Sequence, residues 1–219
     1  NPNKNLKNTD VSIYELHVRD LSSDASSRIK NTGKYLGLTE TGTTNSKGQS
    51  TGLDHIKELG ITHIQLNPVY DYATVDETKL DTNQFNWGYD PKNYNSPEGS
   101  YSTDPYNGDV RVKEFKEMVK TLHDNDISVV MDVVYNHTYS TDYCYNKLVP
   151  DYFYRPGSNG SGCGNDVASE RAMVRNFIVD SVAYWAKEYH IDGFRFDLVG
   201  LIDVQTIKEI RAALDEIDP

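Results

Sequence analysis

Short apolar segments alternate with longer helical segments along this chain, and this alternation limits its fold more than any other feature. Four segments are short, rich in apolar residues, and β-branched or aromatic at their centres, as strands usually are. They cover residues 11–20, 61–70, 127–137 and 191–200. Helical periodicity separates them. A strand–helix–strand order implies a parallel sheet with right-handed crossovers, so the sequence predicts an α/β fold.

Four helices are predicted between and after these strands. The first follows Thr51, a candidate N-cap, directs Leu53, Ile56 and Leu59 inward, and stops at Gly60. Two more helices cover residues 110–125 and 170–190. The last helix follows Asp203, a candidate N-cap, and directs Ile207, Ile210 and Leu214 inward.

The connections at the two ends of the predicted sheet differ in length. Two long irregular stretches, residues 71–107 and 138–169, each follow the carboxyl end of a strand, whereas connections such as residues 59–61 are short. Long loops inside a compact domain are usually functional. The asymmetry favours a barrel or a doubly wound sheet whose working face lies at the strand carboxyl ends. No glycine-rich nucleotide motif follows any strand, so nucleotide binding has no support.

The charge and length of the chain exclude several classes of partner. The 219 residues suffice for one sizeable core and carry a formal net charge of −11. We therefore expect neither nucleic acid nor an anionic membrane as a partner, whereas a neutral substrate is indifferent to this charge. The first residues, from Asn1 to Asn5, show no signal-peptide pattern, and we expect the chain to be a piece of a longer protein. The sequence does not indicate the cellular compartment.

Two residue types leave alternatives open. Cys144 and Cys163 are too few to define a disulfide framework, so they either form one bridge or stay free. The chain also has 16 tyrosines. They either pack loops or provide flat faces on which sugar rings stack.

Polar residues at the end of the fourth strand suggest chemistry. Side chains alternate along a strand, so Phe194, Phe196 and Leu198 share one face, suited to packing under helices. Arg195 and Asp197 share the opposite face. The cation should keep Asp197 ionised, and an ionised carboxylate at this edge suits a nucleophile for an anomeric carbon. The alternative is a structural ion pair.

The third strand ends in the same way. Asn136 and His137 lie at its exit, where the histidine either donates to a substrate hydroxyl or serves the structure. Asp132 lies deeper and is expected to be structural. Its expected partners are His17 or Arg19 on the first strand, because buried polar groups need hydrogen bonds.

Five motifs then carry a family resemblance. DVVYNH (132–137) and GFRFDLVG (193–200) resemble signature regions of the α-amylase-type glycoside hydrolases. FNWGYDP (85–91), YELHVRD (14–20) and IDGFRFDL (191–198) are similar to the type I pullulanases of that superfamily. The resemblance covers nearly all of residues 11–219. It implies the N-terminal half, about four β/α units, of a TIM (β/α)8 barrel with long βα loops. Residues 1–219 would form one partial catalytic domain, with strands 1 to 4, helices 1 to 4 and no second domain.

The resemblance also implies roles for individual residues. Asp197 matches the nucleophile that forms a covalent glycosyl intermediate, and Arg195 the arginine that keeps it ionised. His137 matches a histidine that holds the sugar, Tyr89 a tyrosine stacked beneath that sugar, and Asp90 a carboxylate beside it.

No cofactor is predicted. The asparagine of the DVVYNH motif, Asn136, corresponds to a calcium ligand in many α-amylases, but pullulanase-type relatives often lack that calcium. Calcium is therefore possible, and no metal is predicted. The remaining motif residues Asn86, Trp87 and Gly88 are expected to shape their loop.

The family's general-acid glutamate follows a fifth strand, which these residues do not include. Glu209 and Glu216 lie on the last predicted helix and cannot reach the strand carboxyl ends. The chain is therefore expected to carry the nucleophile without the proton donor and to be inactive alone.

The function expected for the longer protein is hydrolysis of α-1,6 bonds in pullulan, amylopectin or limit dextrins. The alternatives are a fragment of an isoamylase or neopullulanase-type hydrolase, or a non-catalytic glucan-binding half-barrel. Expected partners are the α-glucan and either the second half of the barrel or a second copy of the chain, because half a barrel leaves two sheet edges unpaired.

Overall fold

The computed structural model describes all residues from Asn1 to Pro219. It contains six strands, β1 to β6, and six α-helices, α1 to α6. The strands are Ile13–Leu16, His63–Leu66, Tyr70–Tyr72, Pro91–Pro97, Ser128–Val133 and Gly193–Phe196. The helices are Asp20–Ser23, Gly52–Glu58, Gly108–Asp124, Cys144–Leu148, Ala172–Glu188 and Val204–Asp215. The predicted α/β class is confirmed.

Four strands form one parallel sheet in the order β1-β2-β5-β6, which is also their order along the chain. Helices α3, α5 and α6 follow the last three of these strands, as predicted. Consecutive parallel strands that neighbour each other in chain order, each followed by a helix, form half of an eight-stranded parallel barrel. The predicted half-barrel architecture is therefore confirmed.

The two faces of this sheet differ in burial. On the helical face of the two central strands the side chains are fully buried in one continuous core, for example Leu66 in β2 and Met131 in β5. On the other face Ile13 and Glu15 of β1 and Arg195 of β6 are exposed. That second face is the one that points to the axis of a closed barrel, and it is partly open in these 219 residues.

Several predicted details differ from the structure. The stretch 71–107 is not irregular throughout, because β3 and β4 pair antiparallel within it. Strand β4 begins at Pro91 and ends at Pro97. The sequence did not predict it, because proline has no N–H to donate to a strand ladder. Helix α2 ends at Glu58, so Leu59 lies beyond it and is 50% exposed rather than inward.

Of two predicted helix N-caps, the structure confirms one, and one residue predicted to be in the core is exposed. Asp203 caps α6 by accepting from the Thr206 N–H, as predicted. Thr51 precedes α2 but does not cap it, since its hydroxyl donates to the Ser27 carbonyl. Leu198 was expected under the helices but is 46% exposed, because the chain leaves the sheet after Phe196 and turns with a φ of 43° at Leu198.

The structure shows the state of the cysteines and tyrosines, whose roles the sequence left open. Cys144 and Cys163 are both free and exposed. Eight tyrosines are buried, and they pack largely against one another and against other aromatic rings: Tyr35, Tyr70, Tyr72, Tyr94, Tyr101, Tyr135, Tyr154 and Tyr189. Core packing therefore accounts for half of the tyrosines. None of the helices has the length and apolar character needed to cross a membrane.

Candidate active site

Asp197 and Arg195 meet at the carboxyl end of β6. Arg195 Nη1 lies 2.9 Å from Asp197 Oδ1, so both side chains point to the same side of the sheet, as strand alternation predicted. The Asp197 side chain is only 17% exposed, whereas that of Arg195 is 42% exposed. The Asp197 N–H donates to the Val133 carbonyl of the neighbouring strand, at 2.9 Å. The carboxylate is thus held on the sheet and paired with a cation.

Asp132 lies opposite Arg195 in the β5–β6 register and is fully buried. Both of its oxygens lie 2.9 Å from Arg195 Nη1, and Oδ2 accepts from the Tyr89 hydroxyl at 2.6 Å. Burial raises the pKa of Asp132 above its ordinary value, and the hydrogen bonds from Tyr89 and Arg195 partly oppose this rise. Asp132 therefore ties the arginine and the tyrosine together.

The predicted partners of Asp132 were wrong. The ring of His17 contacts the Asn86 carbonyl at 2.6 Å and the Tyr101 hydroxyl at 3.1 Å. Arg19 donates to the Gln84 carbonyl at 2.9 Å. The segment that follows β1 therefore uses its polar side chains to anchor the loop that contains the FNWGYDP motif, and that loop places Tyr89 against Asp132.

Tyr89 and Asp90 line an open cleft of about 510 Å³ beside this network. Its lining residues are Thr74, Phe85, Asn86, Trp87, Tyr89, Asp90 and Tyr139. Asp90 Oδ2 accepts from the Thr74 N–H at 2.9 Å, while Asp90 Oδ1 is buried without a hydrogen-bond partner. The cleft thus combines aromatic faces with a carboxylate that Thr74 holds in its lining.

The motif loop brings more aromatic surface to the cleft than the sequence predicted. Trp87 is 63% exposed and Phe85 is 52% exposed, with ring centroids 6.1 Å apart. Gly88 allows this arrangement, because it has a φ of 91° and a Cβ there would lie 2.7 Å from the Pro68 carbonyl oxygen. Trp87 was assigned only to loop shaping, although an exposed tryptophan beside a motif tyrosine is itself a sign of a ligand surface.

His137 is buried and does not line this cleft. Its Nδ1 lies 2.6 Å from Asn136 Oδ1, and its Nε2 lies 2.9 Å from the Tyr89 carbonyl oxygen. Burial lowers the pKa of His137, and the Tyr89 carbonyl and the nearby carboxylate of Asp197 act in the opposite direction. Both ring nitrogens are thus engaged within the protein, and His137 fixes the main chain of Tyr89.

The residues do not fit a calcium ion at Asn136. The only atom of its side chain that could bind a cation is Oδ1, and Oδ1 already contacts the His137 ring. A separate group of carboxylates, Asp71, Glu77 and Glu98, lies within 4.8 Å of one another. Arg111 already brings a positive charge to this group, since Nη2 lies 3.0 Å from Glu77 Oε2.

The family of the chain follows from comparison with known proteins. Residues 37–160 match the family model described as alpha amylase, catalytic domain. The pullulanase of Bacillus subtilis is 48% identical over 217 residues, which is 96% of this chain and 30% of that protein. Isoamylase SU1 of Zea mays is 35% identical over 88% of this chain and 25% of its own length.

Solved structures give the same result. The pullulanase of Paenibacillus barengoltzii, in complex with maltohexaose and α-cyclodextrin, is 55% identical with a TM-score of 0.95. The match covers 96% of this chain and 34% of that structure. The chain therefore spans about a third or less of the length of these relatives. Given the family match, the parallel half-barrel and the shared motifs, this chain belongs to the α-amylase superfamily, within its pullulanase group.

Proposed function

We propose that these residues are the nucleophile-bearing part of a retaining glycoside hydrolase that cleaves α-1,6 bonds in pullulan, amylopectin or limit dextrins. The observation that carries the proposal is the carboxylate of Asp197 at the end of β6, paired at 2.9 Å with Arg195. Tyr89 lies in the same network through Asp132. The P. barengoltzii relative is described with maltohexaose, which supports an α-glucan as the substrate class.

In the proposed reaction, Asp197 attacks the anomeric carbon and forms a covalent glycosyl intermediate that water then hydrolyses. Arg195 holds Oδ1 of the attacking carboxylate at 2.9 Å and places a positive charge beside it. Tyr89 offers its ring face to the sugar, while Asp90, which lines the same cleft, accepts from a sugar hydroxyl. His137 acts through the main chain of Tyr89, to which its ring is bonded.

The proton donor of this reaction has no candidate among residues 1–219. Retaining cleavage needs a second carboxyl group about 5–5.5 Å from the nucleophile. Asp132 is fully buried, and its oxygens are engaged by Arg195 and Tyr89. Glu209 lies on α6, where it accepts from Gln205. We therefore propose that the general acid comes from another part of the complete protein and that the chain is inactive alone.

The exposed surfaces support a partner that completes the barrel. Beside the unpaired edge of β6 lies a groove of about 980 Å³ whose apolar lining includes Phe194, Phe196 and Leu214. A large exposed apolar surface of this kind is normally covered in a stable protein. We propose that the second half of the barrel covers this groove, and that the isolated chain pairs with a second copy instead.

The test is glucan hydrolysis by a protein of the full length of the relatives and, separately, by residues 1–219. We expect the longer protein to release maltotriose from pullulan and the short chain to release none. Isoamylase SU1 motivates the second candidate, an isoamylase-type specificity. Cleavage of amylopectin branches without cleavage of pullulan would favour that candidate. Absence of activity on either glucan would refute both and leave the non-catalytic glucan-binding reading.

A further inference from the structure

We propose that Asn136 is a positioning residue of Asp197, which it holds through both the main-chain carbonyl and the carboxylate. This inference rests on the proposed function, because it assumes that Asp197 is the nucleophile. Asn136 follows β5 and has no exposed surface. It therefore acts without contact to solvent.

Asn136 and Arg195 contact different oxygens of the Asp197 carboxylate. Asn136 Nδ2 lies 3.0 Å from the Asp197 carbonyl oxygen and 3.2 Å from Asp197 Oδ2. Arg195 holds the other carboxylate oxygen, Oδ1, at 2.9 Å. One amide nitrogen with two hydrogens can serve both acceptors. The two oxygens of the nucleophile are therefore held by different residues, Arg195 on β6 and Asn136 in the segment that follows β5.

The orientation of the Asn136 amide is fixed by its surroundings. A main-chain carbonyl can only accept, so the amide nitrogen must face Asp197. The amide oxygen then faces His137 Nδ1 at 2.6 Å. His137 Nε2 faces the Tyr89 carbonyl oxygen at 2.9 Å. The His137 ring thus lies between the Asn136 amide oxygen and the Tyr89 carbonyl oxygen, and it links the support of Asp197 to the motif loop.

The backbone gives an independent reason for such a support. Leu198, directly after Asp197, has a φ of 43°, a left-handed conformation that is strained for a non-glycine residue. The peptide that joins the two residues contributes the carbonyl that Asn136 binds. On its other side, the Asp197 N–H is bonded to the Val133 carbonyl at 2.9 Å. Asn136 thus fixes the strained turn on which the nucleophile is carried.

Removal of this support should act on the chemical step. A displacement of about 1 Å at a reacting group can cost about 10²-fold in rate. We expect Asn136→Ala to lower kcat about 10²-fold and to change KM less than about threefold, because buried Asn136 does not touch the substrate. Asn136→Asp has the same shape but puts an oxygen in place of the donor. We expect its kcat to be lower still.

The experiment uses the full-length protein and α-maltotriosyl fluoride, whose leaving group needs little help from a proton donor, so that the rate reports the attack of Asp197. The control is Asn165→Ala, another buried asparagine, whose side chain bonds the Thr138 carbonyl and not Asp197. Thermal melting reports folding of each variant. We expect the control to lose thermal stability but to keep its fluoride turnover within about threefold.

The outcomes separate this inference from the proposed function. Loss of fluoride turnover in both folded Asn136 variants, with KM retained, supports the positioning role. Turnover of a folded Asn136→Ala or Asn136→Asp variant within about threefold of wild type overturns it, as does an equal loss in Asn165→Ala. A wild-type protein without fluoride turnover, or an Asp197→Asn variant that keeps it, would instead overturn the proposed function.

Discussion

Glu98 should make the stability of this protein depend on pH in a predictable direction. Its side chain is buried and accepts from the Ser100 N–H at 2.8 Å and the Tyr72 N–H at 3.1 Å. Burial raises the pKa of Glu98 from 4.5 to about 7, and the neighbouring Asp71 adds to the rise, although the two N–H donors oppose it. The folded protein therefore binds this proton more tightly than the unfolded chain does.

The sign and size of the effect follow from linkage. Above about pH 7, Glu98 is ionised in both states, and the buried charge lowers the free energy of unfolding. As the pH falls from 7 through 4.5, the folded state takes up the proton first and this penalty disappears. Each pKa unit corresponds to about 1.4 kcal/mol, so the full penalty is about 3 kcal/mol.

Glu98→Gln removes the titration while keeping the shape of the side chain. The NH2 group of the new glutamine would face the backbone N–H of Ser100 or Tyr72, donor against donor. This lowers the free energy of unfolding by an amount that is the same at every pH. Urea unfolding at pH 4 and pH 8 in the presence of a chelator measures the free-energy difference between variant and wild type. We expect this difference to shift by about 3 kcal/mol in favour of the variant at pH 8. A shift smaller than about 1 kcal/mol, or one of opposite sign, would refute the reasoning.

Three further predictions concern the active site and the exposed surfaces. In the full-length protein, Asp197→Asn should remove nearly all turnover of pullulan with no change in circular dichroism, and retention of more than a few per cent would exclude the nucleophile role. Residues 1–219 should bind maltodextrins only weakly, since stacking contributes about 1 kcal/mol beyond burial; calorimetry that finds micromolar binding unchanged by Tyr89→Ala would show that the sugar site is misplaced. Sedimentation of residues 1–219 should show dimers or larger species, and a stable monomer at tens of micromolar would contradict the exposed-edge argument.

Local rules were sufficient to predict the sheet and its reactive pair. Each parallel strand is marked by its own apolar centre, and chain order fixes which strands neighbour each other once the connections are helical. The contact of Arg195 with Asp197 needs only the two-residue period of one strand. These features depend on sequence neighbours, which is why the sequence alone reveals them.

The partner of Asp132 could not be found in this way, because it depends on how a long loop returns. The loop that places Tyr89 against Asp132 is anchored at its earlier residues by His17 and Arg19. The pairing of β3 with β4 was missed for a similar reason, since prolines and asparagines conceal a strand whose ladder forms inside a loop. Contacts of this kind are set by distant parts of the chain.

The hydrogen-bond network around the proposed nucleophile is closed within these 219 residues. Tyr89 bonds Asp132, Asp132 bonds Arg195, Arg195 bonds Asp197, and Asn136 holds Asp197 from the other side. Every donor and acceptor in this series of hydrogen bonds comes from β5, β6 or the loops that follow the strands of the half-barrel. The orientation of Asp197 therefore does not require contacts from outside this part of the barrel. If the proposed function holds, the remaining part has to supply a proton donor and cover the apolar groove beside β6, while the nucleophile is already oriented.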